Sequence, residues 1–160
     1  QFNKVLIIKE NNRVVCQNEI KTVGILTTDE ISKWVNVKDE VEKILNLRNA
    51  KIYSFRPYKK HQEVSFKHFS EKDFSWNGHI HQPNFKSFTD EPFDLLIGYF
   101  DKENLYLESA VLNSNAKFKA GISKVNQQLY DIEIAEVPSK TDTFFLELKR
   151  YLKILKKIKN

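Results

Sequence analysis

Cysteine, glycine and long apolar runs are all scarce in this chain of 160 residues. Cys16 is the single cysteine, so no internal disulfide can form, and a reducing, cytoplasmic setting is expected. Cys16 has no histidine near it in sequence and reads as an inert buried thiol. No apolar run approaches the roughly 18 residues that a membrane-spanning helix needs; the run Val5-Leu6-Ile7-Ile8 is core-sized. No export signal is visible, although the chain starts at Gln1 and not at Met, which implies that its natural start is missing or trimmed.

The glycines are only Gly24, Gly78, Gly98 and Gly121. A nucleotide-binding turn needs glycine where the first strand meets its helix, so that backbone N–H groups can approach phosphate. The turn here is Leu26-Thr27-Thr28-Asp29-Glu30, with two acids and no glycine. Helix capping explains it better: Thr27 and Glu30 have capping-box spacing. Hydrolase signatures are equally scarce, since Ser75, Ser87 and Ser109 lack the context of a nucleophile elbow. His79-Ile80-His81 would put two rings on one side of a strand, but neither His61, His68, Glu63 nor Asp73 is signalled as a third ligand. The carboxylates Glu40 and Glu42 read as the solvated face of a helix. The expectation is a chain that needs no cofactor or metal and is not an enzyme.

What is present is an ordinary globular composition, 41% hydrophobic and 12% aromatic, in a length that suits one domain over residues 1–160. Residues 3–17 do not separate helix from strand by periodicity. Strands are predicted near 20–27, 51–55, 94–99, 117–122 and 130–136, the last alternating as an edge or half-exposed strand would. A helix with Ile31, Trp34, Val41, Ile44 and Leu45 on its apolar side follows the first strand, and another is expected over 104–115. Pro138, Ser139 and Thr141 supply a stop and then a cap for a final helix over 142–159. Strands alternating with helices point to a mostly parallel sheet covered on both faces. The predicted fold is a three-layer α/β domain, Rossmann-like or flavodoxin-like.

Residues 57–92 interrupt that rhythm. They hold three of four prolines, all four histidines and seven of the twenty aromatics. They read as an ordered excursion between two strands, with a short strand at Val64 to Lys67. Most of its aromatics are expected to fold down onto the domain. Trp76-Asn77-Gly78-His79 reads as a turn with an exposed tip. Exposed rings beside Arg56, Lys59, Lys60, Lys67 and Lys86 would stack unpaired bases.

Charge is distributed unevenly. Seven basic residues face two acids (Asp142, Glu147) from Lys140 onward, so that segment carries the entire net charge of +5 and residues 1–139 are neutral. Lys149, Arg150, Lys153, Lys156, Lys157 and Lys159 fall outside the apolar stripe of Phe144, Phe145, Leu148, Tyr151, Leu152, Leu155 and Ile158. Cations near a helix C-terminus complement its dipole, which accounts for two or three of them. The rest suggest a polyanion, with Lys149, Arg150, Lys153, Lys156, Lys157, Lys159, Arg56, Lys59, Lys60, Trp76 and His79 as candidate RNA contacts.

The stretches Thr22-Val-Gly-Ile-Leu, Lys72-Asp-Phe-Ser-Trp-Asn-Gly78, Phe93-Asp-Leu-Leu-Ile97, Ala116-Lys-Phe-Lys-Ala-Gly121 and Phe145-Leu-Glu-Leu-Lys-Arg-Tyr-Leu-Lys-Ile-Leu155 resemble an uncharacterised domain family of the Bacteroidetes, especially the Flavobacteria. They are framework residues and carry no transferable site. More distantly, the chain is similar to the extra large-subunit ribosomal proteins of flavobacterial ribosomes. That resemblance implies a non-catalytic accessory protein on structured RNA, with ribosomal RNA and neighbouring ribosomal proteins as partners. Two other classes stay open: a Rossmann-like enzyme or binding domain for a phosphorylated metabolite or nucleotide-sugar, and an interaction module at an acidic membrane surface.

Overall fold

The computed structural model describes residues 19–123 and 129–159, together with the backbone of a strand at Leu6–Ile8. Cys16, and the undecided reading of 3–17 apart from that strand, lie outside the described residues.

Seven strands form one sheet: β1 (Leu6–Ile8), β2 (Val23–Thr28), β3 (Lys51–Phe55), β4 (His68–Phe69), β5 (Leu95–Tyr99), β6 (Lys119–Ile122) and β7 (Ile132–Ile134). Their spatial order is β1-β7-β6-β5-β2-β3-β4, with β1 antiparallel to β7 and every other pairing parallel. The six parallel strands thus run outward from β2 in one direction and from β5 in the other. This is the doubly wound arrangement, and the order reverses between β2 and β5.

The helices are α1 (Asp29–Ser32), α2 (Val37–Leu45), α3 (Pro83–Asp90), α4 (Leu105–Asn113) and α5 (Thr141–Ile154). On one face of the sheet α2 packs against α5, and on the other α3 packs against α4. Register fixes which side chains meet them. Thr27 of β2 stands beside Tyr99 of β5, and Tyr99 stacks on Phe145 and meets Phe144 edge-on. The Tyr99 hydroxyl donates to the Pro138 carbonyl at 2.6 Å, which pins the start of α5 to the carboxyl end of β5.

The opposite face has glycines at its centre. A Cβ on Gly121 would lie 2.2 Å from the Tyr130 ring, and one on Gly98 would lie 2.1 Å from its hydroxyl. The fully buried Tyr130 therefore lies directly on bare backbone, occupying part of the layer that helices fill elsewhere. Gly24 does the same for Phe93. Gly24, Gly98 and Gly121 make room for aromatic rings.

Several expectations need correction. The first helical stretch is two helices, broken between Ser32 and Val37. Its cap is Thr28, whose hydroxyl accepts from the Ile31 N–H at 3.1 Å, whereas Thr27 is buried and donates to the Tyr99 carbonyl. The strand expected over 130–136 spans only Ile132–Ile134; it is internal because β1 pairs with its outer edge, and all three of its residues are buried. The final helix stops at Ile154, and Lys156 adopts a left-handed backbone that turns the chain inward. Its N-cap is Lys140, which makes no side-chain capping bond. The short strand expected at 64–67 lies instead at His68–Phe69. Inside the excursion, Gln82 accepts from the Phe85 N–H and Pro83 occupies the first turn, opening a helix that the proline content had concealed.

Most aromatics of the excursion do fold down. Phe69 stacks on Phe85 with centroids 4.1 Å apart, Tyr53 meets Phe85 and Phe88, and Phe74 meets Tyr106. No described helix is long and apolar enough to cross a membrane.

Candidate functional site

In doubly wound sheets ligands bind where the strand order reverses, outside the carboxyl ends of the strands. A cavity of about 260 Å3 lies at that point here, bounded by Thr28 and Ile31 after β2, by Phe100 and Asp101 after β5, and by Val137 and Pro138 before α5. Its polar walls bring Glu30 and Asp101 together with Lys102. The helix after β2 has four residues and its first turn is acidic and already capped by Thr28. Such a crevice repels a phosphate.

A second cavity, about 320 Å3, opens beside the carboxyl ends of β3 and β4. Arg56, Lys59 and Lys72 reach it, as do Glu63 and Asp73. Much of this wall is internally bonded. Arg56 donates to the Glu63 carbonyl at 3.2 Å, Glu71 accepts from the Tyr58 N–H, and Asp73 closes a capping box with Ser70. On the same wall His68 bridges Ser65 and Asp29, each at 2.8 Å. None of the serines singled out in the sequence takes part, and the only signal for this group is a histidine three residues after a serine.

Trp76 stands at the tip of a tight turn. The Gly78 N–H donates to the Ser75 carbonyl, Gly78 takes a positive φ of 88°, and Phe74 bridges Ile80 across the base. The indole is 99% exposed, so it contributes nothing to packing. His79 is exposed on the returning arm, while Ile80 between His79 and His81 is buried.

The C-terminal cations separate from this group. The α5 axis runs from Pro138 beside Tyr99 to Lys157, whose carbonyl accepts from the Ile20 N–H at 2.7 Å just before β2. Its last turn therefore sits where the strands begin, and Arg56, Lys59, Lys60 and Trp76 sit where they end. Lys156 and Lys159 are exposed, and Lys149 and Lys153 are half-buried. Arg150 pairs with Glu147 and lies over the Tyr151 ring. Lys157 is a correction: it is only 2% exposed, with its ammonium 4.6 Å over the Phe118 ring, so it belongs to the core and not to a binding face.

The fold adds cations that sequence order had hidden. The C-terminus of α2 ends beside the strand starts, bringing exposed Lys43 and Arg48 there, and Lys21 precedes β2. Among the described residues Lys21, Lys43, Arg48, Lys153, Lys156 and Lys159 make no ion pair, and Glu19 is the exposed acid beside them. The other carboxylates at this end are engaged. Asp94 accepts from the Lys21 and Thr22 N–H groups and pairs with Lys117, Glu91 pairs with Lys51, and Glu42 with Lys38.

The family model described as "Family of unknown function (DUF6913)" matches residues 1–155. The chain belongs to the DUF6913 family. No curated protein and no solved structure matches it significantly. In this DUF6913 chain the Trp76 turn and the strand-start cations are thus features that the fold positions without needing them for its core.

Proposed function

We propose that this DUF6913 protein docks on structured RNA through its strand-start end, and that the RNA is ribosomal. One observation carries the reading. The fold gathers Lys21, Lys43, Arg48, Lys153, Lys156 and Lys159 from three separate segments onto one end, where most nearby carboxylates are already bonded. The dipoles of α2 and α5, both ending here, account for part of this charge. Six unpaired cations exceed what two helix ends attract, and an RNA backbone uses such a surface through phosphate contacts that release counterions. The choice of ribosomal RNA rests on the resemblance read from the sequence. Acid walls at the strand-order reversal speak against the phosphorylated-metabolite alternative.

Co-sedimentation with purified ribosomes tests the reading. Association is expected at low salt and is expected to fall when Lys153, Lys156 and Arg48 are changed to Glu. A folded triple variant that pellets with ribosomes as the wild type does would rule it out.

A further inference from the structure

The geometry points to a serine esterase site at the other end of the sheet, built from Ser65, His68 and Asp29. The three come from different places: Asp29 opens α1 after β2, His68 begins β4, and Ser65 lies in the loop before it. They form one continuous hydrogen-bonded line. His68 Nε2 lies 2.8 Å from Asp29 Oδ1, and His68 Nδ1 lies 2.8 Å from Ser65 Oγ. An ionised carboxylate can only accept, so in the neutral form of the ring Nε2 carries the proton and Nδ1 turns its lone pair toward the serine O–H. That is the tautomer in which histidine takes a proton from serine. The two ring nitrogens are exchanged relative to the common Ser-His-Asp arrangement, but the roles are preserved: acceptor toward the nucleophile, donor toward the carboxylate.

The surroundings suit the chemistry. The Lys33 ammonium lies 3.7 Å from the second Asp29 oxygen and supports its charge. The imidazole and the carboxylate are 23% and 27% exposed, sheltered without being sealed. The Lys67 N–H donates to Ser65 Oγ at 3.2 Å and fixes its direction. Ser65 and His68 both line the 320 Å3 cavity, whose walls also carry Arg56, Lys59 and Lys72 beside Glu63 and Asp73. Val64 and Phe66, on either side of Ser65, are 88% and 73% exposed and offer an apolar rest for the substrate. The substrate class is a small carboxylic ester.

Ser65 Oγ bonds to the ester carbonyl carbon while its proton passes to His68 Nδ1. The ester C–O bond then breaks, and the alcohol leaves with that proton. Water attacks the acyl carbon, giving a proton to Nδ1. As the C–Oγ bond breaks, that proton returns to Ser65, releasing the acid. Asp29 orients the ring throughout and touches no substrate, so it is a positioning residue.

Two measurements on the full chain test the site. Ser65→Cys places a thiol against Nδ1, and pairing with histidine favours its thiolate. Alkylation of that position by iodoacetamide at pH 6, followed by peptide mass spectrometry to separate it from Cys16, is expected at least tenfold faster than in Ser65→Cys/His68→Ala. Unaltered protein is expected to take a fluorophosphonate on Ser65 and to hydrolyse p-nitrophenyl acetate. Both are expected to be lost in Ser65→Ala and cut at least tenfold in Asp29→Asn, with unchanged thermal melting of Ser65→Ala as the folding control. Equal alkylation rates, or no Ser65-dependent labelling and hydrolysis, would overturn the assignment and leave the hydrogen bonds as a loop fastening.

Discussion

The two ends of the sheet differ in kind. Where the strands begin, the surface is cationic and aromatic rings are buried, as Phe93 and Phe118 are. Where they end, charges of both signs are interlocked and the rings of Tyr58, Phe66 and Trp76 are exposed. Strands of five or six residues separate the ends by roughly 17–20 Å. The starting end gathers unpaired charge, which suits a sequence-tolerant grip on phosphates. The finishing end has cavities and directed hydrogen bonds, which suit a small molecule. A doubly wound sheet leaves its carboxyl ends open to ligands, and this chain uses the opposite end for its surplus charge.

The comparison can be sharpened by substitutions at the starting end that separate fold from surface. Lys157→Glu should have the largest effect on stability, since it reverses a charge in a position only 2% exposed over Phe118. A loss of about 3 kcal/mol is expected from chemical denaturation, against about 0.5 kcal/mol or less for Lys156→Glu next to it on the surface. Equal losses would show that the two lysines are not divided between core and surface.

At the glycine face, Gly121→Ala forces a methyl into the Tyr130 ring. Overpacking there should cost about 1–3 kcal/mol and leave the proposed RNA association of the folded protein unchanged. Binding lost at full stability would mean that the face beneath Tyr130 belongs to the interface.

Asp94 gives the starting end a pH signature. Burial pushes its carboxyl up, but the Lys21 and Thr22 N–H groups, the Lys117 ammonium and the Thr22 hydroxyl together outweigh burial and hold it below the usual carboxylate range. A carboxylate lowered in the folded state stabilises at pH values above its unfolded value. That contribution is lost as pH falls below about 4 and through the folded value. Asp94→Asn should therefore be less stable than wild type at pH 7, by about 1–2 kcal/mol, with the gap closing toward pH 3. A gap that stays constant in denaturation curves across that range would show that the charge of Asp94 does not matter.

The smallest stability effect is expected at the finishing end. Trp76→Ala should change stability by less than about 0.5 kcal/mol, because the indole is 99% exposed. A larger loss in thermal melting would mean that the ring packs on the domain and is not available to a partner.

The fold was legible because its strands are short apolar runs closed by turn signals; Lys51–Phe55 coincides with its prediction, and Leu95–Tyr99 differs by one residue. The rest depended on tertiary contacts. Periodicity carried the helical reading past Ile154, yet the chain turns inward at Lys156 to bond Ile20, which no local pattern encodes. Glu133 stood on the polar side of an alternating strand, yet it is buried on the face where Tyr130 lies over Gly121, which alternation does not reveal. The proline at 83 suppressed a helix whose first turn it fills. The exposed tip at Trp76 was legible from Asn77 and Gly78. The Ser65-His68-Asp29 line was not, since its carboxylate is 39 residues from its histidine.

The most direct test of the division between the two ends is the salt dependence of binding to purified ribosomal RNA. It is to be measured for wild type, for Lys153→Glu/Lys156→Glu/Arg48→Glu, and for Lys59→Glu/Lys60→Glu at the finishing end. The slope of log affinity against log salt should become shallower by about one for each phosphate contact removed, so the triple variant should flatten it by about three and the double variant should leave it near wild type. The opposite pattern, a slope unaltered by the triple variant and flattened by the double, would contradict the account and move the RNA contact to the finishing end.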